Sequence, residues 1–185
     1  MNKLVITVLA KDRPGIIAQV TTDLFELGCN LENVNQMILQ DQFAGFFIVE
    51  APQDLDPDVV EERLNRTSDG NGLTVYVHRP GSRHLPGSDD RETDIFLITT
   101  IGPDQKGLVS RFSTIIARFH GNIVNLKAVF KGGTDPNANV MSYQVAVNKA
   151  VDAPAMFAAL REKAKELKLD IRIQHKNIFD AINKI

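Results

Sequence analysis

The same sequence pattern occurs twice in this 185-residue chain, at a separation of 92 positions. The segment Lys11–Ile16 returns as Pro103–Leu108, and the residues from Ile6 to Asn33 align with those from Ile98 to Asn125 without a gap. Self-similarity that stays in register over such a length indicates an internal duplication. The chain is therefore expected to fold as two copies of one structural unit.

Each copy begins with a β-rich run, which is Leu4–Leu9 in the first copy and Phe96–Ile101 in the second. A tight loop follows, and then an apolar pattern at helical spacing. The predicted buried face of each helix consists of four apolar residues, namely Ile17, Val20, Leu24 and Leu27 in the first copy and Val109, Phe112, Ile116 and Phe119 in the second.

Two strands, a second helix and a closing strand complete each copy. Gly28 and Gly121 lie near the ends of the first helices, where left-handed backbone is common. The turn-rich segments 41–45 and 132–137 predict hairpins. The second helices are predicted to start near Pro57 and Pro154, with Asp56 and Asp152 as caps.

The resulting order βαββαβ, found twice, predicts an α+β fold of two tandem ferredoxin-like domains, each with an antiparallel sheet and helices on one face. The first domain is predicted at residues 1–79 and the second at 92–185. Residues 80–91 are polar and rich in Gly and Pro, so they are predicted to form the linker.

Composition argues against several classes of protein. The chain has no apolar run of eighteen residues and no signal-peptide pattern, and its lone Cys29 excludes an intrachain disulfide, so a cytoplasmic protein without a membrane span is expected. Residues 1–79 hold 6 basic and 12 acidic side chains, whereas residues 80–185 hold 15 and 11. This polarity suits self-association or a charged protein partner, but it is too weak to indicate direct nucleic-acid binding.

No catalytic or metal-binding constellation is visible. The four histidines, His78, His84, His120 and His175, have no cysteine or carboxylate partners at metal-ligand spacing. No nucleophile elbow, Walker loop or dinucleotide-binding glycine motif stands between a strand and a helix. We therefore expect a protein that is not an enzyme and that has no cofactor and no metal site.

The duplicated loop is the best candidate binding site. A helix N-terminus after a glycine turn presents free N–H groups, which suit a carboxylate. Asp12 and Asp104 are expected either to cap those N–H groups or to contact a ligand directly. Asn30 and Asn122 each lie at the start of the second strand of their copy, and we expect that strand to lie beside the first. The loop and the amide side chain would then border one pocket for a small α-amino acid. The alternative is that both amides only satisfy the backbone of a turn.

These motifs resemble those of the ACT domain, a small-molecule-sensing module of amino-acid metabolism. The resemblance rests on residues 12–16 with 28–31 and on residues 104–108 with 121–123, and it covers nearly the whole chain. The layout of two ACT domains and nothing else is similar to the glycine cleavage system transcriptional repressor family. The segment 173–179 also looks like the stretch after the ACT domain in formyltetrahydrofolate deformylases, whose catalytic domain the chain lacks.

The resemblance implies a non-catalytic regulator that binds a small amino acid of the glycine or serine class, at an interface between two domains, and signals to a protein partner. The implied roles include the regulation of glycine cleavage and of transcription. The implied ligand-binding residues are Asp12, Arg13, Pro14, Gly15, Ile16 and Asn30, and in the second copy Asp104, Gln105, Lys106, Gly107, Leu108 and Asn122.

The first copy fits the family pattern better, because Arg13-Pro14 is the common form and Gln105-Lys106 is not. If one site has lost its function, we expect it to be the second. The alternative function is an accessory subunit related to formyltetrahydrofolate deformylase. The alternating apolar residues of the second strands further predict side-by-side pairing of the two domains within one chain, and a homodimer of such chains.

Overall fold

The computed structural model describes residues 2–66, 72–81, 93–129 and 139–178. The chain divides into two compact units, residues 1–83 and 84–185, called unit 1 and unit 2. Most of the predicted linker and the second predicted hairpin loop lie outside the described residues, as do His84 and Phe179.

The described residues of unit 1 form six elements: β1 (Asn2–Lys11), α1 (Ile16–Glu26), β2 (Asn30–Leu39), β3 (Gln42–Ala51), α2 (Pro57–Arg66) and β4 (Thr74–His78). Its antiparallel sheet has the strand order β2-β3-β1-β4. The expectation that the second strand lies beside the first is therefore wrong, because β3 separates β2 from β1.

Unit 2 repeats this architecture with β5 (Thr93–Gly102), α3 (Leu108–Arg118), β6 (Asn122–Val129), β7 (Asn139–Asn148), α4 (Ala153–Glu166) and β8 (Asp170–His175). Its sheet is antiparallel with the order β6-β7-β5-β8. The predicted α+β, ferredoxin-like arrangement is confirmed in both units.

One face of each sheet is buried under the helices. Strand side chains alternate between the two faces, so Ile6 and Val8 of β1 and Phe47 of β3 lie fully buried while their neighbours point to the open face. Each such side chain contributes about 1.5–3 kcal/mol to folding. Cys29 joins this core, and burial raises the pKa of its thiol.

The helices bury nearly the faces that their sequences predict. Val20 and Leu24 of α1 and Phe112 and Ile116 of α3 are buried. Ile17 is an exception, because it is exposed and Ile16, one residue earlier, enters the core instead.

The first hairpin turns earlier than predicted. Gln40 and Asp41 have φ values of 48° and 62°, which give a two-residue turn with left-handed backbone, and β3 begins at Gln42. Gly45 therefore lies within a strand. A Cβ atom there would stand 3.0 Å from the rings of Phe43 and Phe47, so this glycine makes room for two buried aromatic side chains.

The caps behave largely as predicted. Asp56 accepts a hydrogen bond from the N–H of Asp58, and Asp152 accepts one from the N–H of Ala155. The left-handed residue after α1 is Gly28, but after α3 it is His120 rather than Gly121.

Candidate functional site

The loop between β1 and α1 lies at the end of the unit 1 sheet where the β2–β3 hairpin turns. The N–H of Asp12 donates to the carbonyl of Asp41 at 2.7 Å, which fixes the loop against the β2–β3 turn. Gly15 precedes the helix with φ 92°, and no side chain caps α1. Of the two roles left open for Asp12, the structure therefore does not support capping, and the first N–H groups of α1 face the loop.

Arg13 crosses this loop. Its Nη2 donates to Gln19 Oε1 at 3.0 Å and its Nη1 approaches the carbonyl of Pro14 at 3.5 Å. Among the described residues its buried Nε finds no hydrogen-bond partner. The guanidinium places positive charge beside the N-terminus of α1, where this charge and the free N–H groups both favour an anion.

A depression of about 430 Å³ opens at this loop. Four of its lining residues are not among the binding residues expected from the sequence, namely Ile17 and Ala18 of α1, Gln36 of β2 and Phe43 of β3. The others are Asp12, Arg13, Gly15 and Ile16, from the loop and the start of α1. Such a volume lies within the range of small-molecule sites.

The predicted loop residues differ in what they offer. Asp12 and Pro14 are exposed, whereas the side chain of Ile16 belongs to the core with 2% of its surface exposed. Ile16 is therefore able to offer a ligand its backbone N–H more readily than its side chain.

Asn30 lies at the opposite end of the sheet. It pairs with Glu50, which pairs with Lys3, whereas the loop follows Lys11. The eight residues between Lys3 and Lys11 span about 26 Å at 3.3 Å per residue. Within unit 1, then, the structure does not bring Asn30 and the loop together.

Unit 2 has a depression of about 450 Å³ at the corresponding loop, lined by Asp104, Gln105, Gly107, Leu108, Val109 and Ser110. Gly107 has φ 80° and α3 has no side-chain cap, so capping by Asp104 is again not supported. Lys106 is exposed outside this lining. Asn122 pairs with Ala146 opposite Ile95, and the seven residues from there to Gly102 place it about 23 Å from the loop.

One side chain of the second loop is already hydrogen-bonded within its own unit. Gln105 Nε2 donates to the carbonyl of Leu167 at 2.7 Å, so this side chain satisfies the C-terminal end of α4. Leu169 packs so closely on Gly102 that a Cβ atom there would lie 2.6 Å from Leu169 Cδ2.

Other surfaces offer less. A depression of about 530 Å³ runs along α2 over the exposed side chains Glu62 and Arg66, which pair with each other. In the described part of the chain, no cluster of His, Cys, Asp or Glu is suited to a metal ion. Among the same residues no helix is long and apolar enough to cross a membrane.

Comparison with known proteins identifies the two units. Residues 4–69 match the ACT domain family, and residues 94–174 match it a second time. The chain belongs to the ACT domain family. Units 1 and 2 are tandem ACT domains, and the two loops described above join the first strand of each domain to its first helix.

Named relatives of this ACT protein include a transcriptional regulator. The glycine cleavage system transcriptional repressor of Escherichia coli strain K12 is 25% identical over 155 residues, which cover 82% of this chain and 75% of that protein. A UPF0237 protein of Methanopyrus kandleri is 33% identical over 78 residues, or 42% of this chain and 87% of the relative. The resemblance to the glycine cleavage repressor family is thus confirmed.

The tandem fold has also been seen in a crystal. A protein from Galdieria sulphuraria superposes with a TM-score of 0.77 at 22% identity, over 94% of this chain and 98% of that one. At that identity the likeness concerns the fold alone.

Proposed function

We propose that this tandem ACT protein is a non-catalytic regulator that binds a small free amino acid, of the glycine or serine class, in unit 1. The observation that carries the proposal is the depression at the β1–α1 loop, where an uncapped helix N-terminus, an arginine and an aspartate meet. An α-amino acid presents one carboxylate and one ammonium group, so it needs both kinds of partner.

Each charged group of the ligand has a partner of opposite sign. The N–H groups at the start of α1 and the positive charge of the Arg13 guanidinium suit the carboxylate. The carboxylate of Asp12 suits the ammonium group, since it is exposed at the same depression and is not used as a cap.

Unit 2 is the weaker candidate for binding. Its loop has Gln105 where unit 1 has Arg13, and that side chain is already hydrogen-bonded to Leu167. We therefore propose one ligand for each chain, bound in unit 1.

Assembly is part of the proposal. Strand β2 is a sheet edge that is exposed at every position from Asn30 to Leu39, and a long unpaired edge favours pairing with a second chain. Antiparallel pairing of two β2 strands would bring Asn30 of one copy to the loop end of the other. We propose that the homodimer completes the site in this way. Asn30 of one copy would then contact the ligand bound at the loop of the other copy, which it cannot do within its own unit.

The signal is proposed to pass to a protein partner. The similarity to the glycine cleavage system transcriptional repressor of Escherichia coli supports a role in the regulation of glycine cleavage. A wider role in amino-acid metabolism, in the cytoplasm, is part of the same proposal. The acidic excess of residues 1–79 supports a partner that carries a basic surface.

Titration calorimetry against the twenty amino acids tests the proposal. We expect one amino acid of the glycine or serine class to bind below about 1 mM, the equivalent of roughly −4 kcal/mol. Asp12→Ala should abolish this binding, and the matched variant Asp104→Ala, at the same position of unit 2, should keep it. If no amino acid binds the wild-type chain at millimolar concentration, the proposed function is wrong.

A further inference from the structure

Gln36 is a polar side chain at the candidate site that the family pattern does not assign. It lies on β2 opposite Gly45, on the face of the sheet that carries the helices, and it lines the depression together with Asp12 and Arg13. Among the described residues its side chain makes no hydrogen bond. An amide that borders a cavity and has both a donor and an acceptor free is suited to contact a polar group.

The duplication provides an internal comparison. The position of Gln36 in β2 corresponds to Ala128 in β6, which pairs with Met141 as Gln36 pairs with Gly45. Alanine has no hydrogen-bonding side chain. The second unit therefore lacks both the amide side chain of Gln36 and the guanidinium of Arg13.

The arrangement of the lining residues indicates which part of a ligand meets Gln36. Asp12 and Arg13 line the depression from the loop, and Gln36 lines it from β2. In the proposed pose both charged groups lie at the loop, near Asp12 and Arg13. The part of the ligand that remains to face β2 is its side chain, with the ring of Phe43 on the floor of the depression.

We propose that Gln36 contacts the side chain of the bound amino acid. The site then prefers an amino acid with a small hydroxyl side chain to glycine, whose side chain is a hydrogen atom. The carbonyl oxygen of Gln36 accepts from a ligand hydroxyl, which glycine cannot supply. This inference rests on the proposed function, because it concerns the same site. It refines that function by favouring the serine class over glycine.

Calorimetry with serine and glycine on four forms of the full chain tests the inference. The wild-type chain should bind serine more tightly than glycine by about fivefold, the equivalent of about 1 kcal/mol for one solvent-accessible neutral hydrogen bond. Gln36→Ala, which copies Ala128, should remove this preference by weakening serine binding and leaving glycine binding unchanged. Asn35→Ala is the matched control, since Asn35 is the adjacent residue of the same strand and faces the other side of the sheet, opposite Phe46.

The outcomes separate the two proposals. If Gln36→Ala keeps the wild-type preference while Asp12→Ala loses all binding, the role of Gln36 is wrong and the proposed function stands. If Asn35→Ala lowers serine affinity as much as Gln36→Ala does, the effect is a general one on the strand and the inference is again wrong. If wild-type protein binds neither amino acid nor any other, both proposals fail.

Discussion

Replacing Thr100 by valine should make this protein more stable. Thr100 lies on β5 with 1% of its surface exposed, on the face that packs against the helices. Its hydroxyl oxygen has no hydrogen-bond partner in the part of the chain that the structure describes. A buried hydroxyl without a partner has lost its hydration without compensation, at a cost of about 1–3 kcal/mol. Valine has nearly the same shape and no polar group.

Unit 1 already contains this replacement. The residue that corresponds to Thr100 is Val8, which is fully buried at the same place in β1. The fold therefore accepts valine there without rearrangement, and valine and threonine have similar preferences for strands. We expect Thr100→Val to raise the free energy of unfolding by about 1–2 kcal/mol.

Urea denaturation followed by far-ultraviolet circular dichroism measures this change. With an m-value of about 2 kcal/mol/M, a gain of 1 kcal/mol moves the midpoint by about 0.5 M. Thr99→Val is the matched control, because Thr99 is half-buried on the other face of β5, and its effect should stay within about 0.5 kcal/mol. Val8→Thr should lower stability by about 1–3 kcal/mol.

The reasoning is refuted if Thr100→Val lowers the midpoint of unfolding at an unchanged m-value. Such a result would mean that the hydroxyl makes a stabilising hydrogen bond, for example to an ordered buried water, whose loss outweighs the gain from removing a polar group.

Two further predictions concern unit 2. Gly121→Ala should destabilise the protein by about 1–3 kcal/mol, measured by urea denaturation. The new Cβ would stand 2.8 Å from Ile116 Cγ2 and 3.1 Å from Val145 Cγ1. A change below about 0.5 kcal/mol would show that these side chains move aside. Burial raises the pKa of Tyr143 to about 12, above the ordinary value of about 10, so the folded state holds the phenol proton more tightly than the unfolded state. Its contribution to stability is complete below pH 10 and is lost as the pH rises toward 12, and Tyr143→Phe should remove that part of the pH dependence of unfolding.

The sequence was sufficient to predict the order of elements and most of the core. The apolar spacing of α1 and α3 and the alternation of β1 and β5 are local signals, and the duplication doubles each of them. The turn before β3 comes earlier than the sequence predicts, because Gly45, a residue type typical of turns, lies within the strand. A glycine is needed there for a tertiary reason, since the rings of Phe43 and Phe47 occupy the space that a side chain would need.

The position of Gln36 depends on a feature that the sequence does not show. The register of β2 against β3 shifts between Leu31 and Asn33, and a bulge of one residue exchanges the faces of all residues that follow. Counting from Asn30 without the bulge would place Gln36 on the open face of the sheet. With the bulge, Gln36 shares the helix-covered face and reaches the loop depression.

The position of Asn30 depends on strand order. Reading the chain alone suggested that β2 adjoins β1, in which case Asn30 and the loop share an edge. The structure inserts β3 between them and places Asn30 at the far end of its strand. The position of the loop is predictable from the sequence because a tight turn directly before a helix requires left-handed backbone, which glycine adopts readily. Gly15 and Gly107 have such left-handed φ values in the structure.

The two units differ at the loop between their first strand and first helix. In unit 2 the side chain of Gln105 is hydrogen-bonded to the end of α4, and Leu169 fills the space above Gly102. In unit 1 the corresponding loop has the charged Arg13, and a depression bordered by Gln36. In the second copy the side chain at the arginine position is thus neutral and already hydrogen-bonded, whereas the first copy has a positive charge at the depression. This difference is why binding is proposed for unit 1, and why Asp12→Ala and Asp104→Ala are expected to differ.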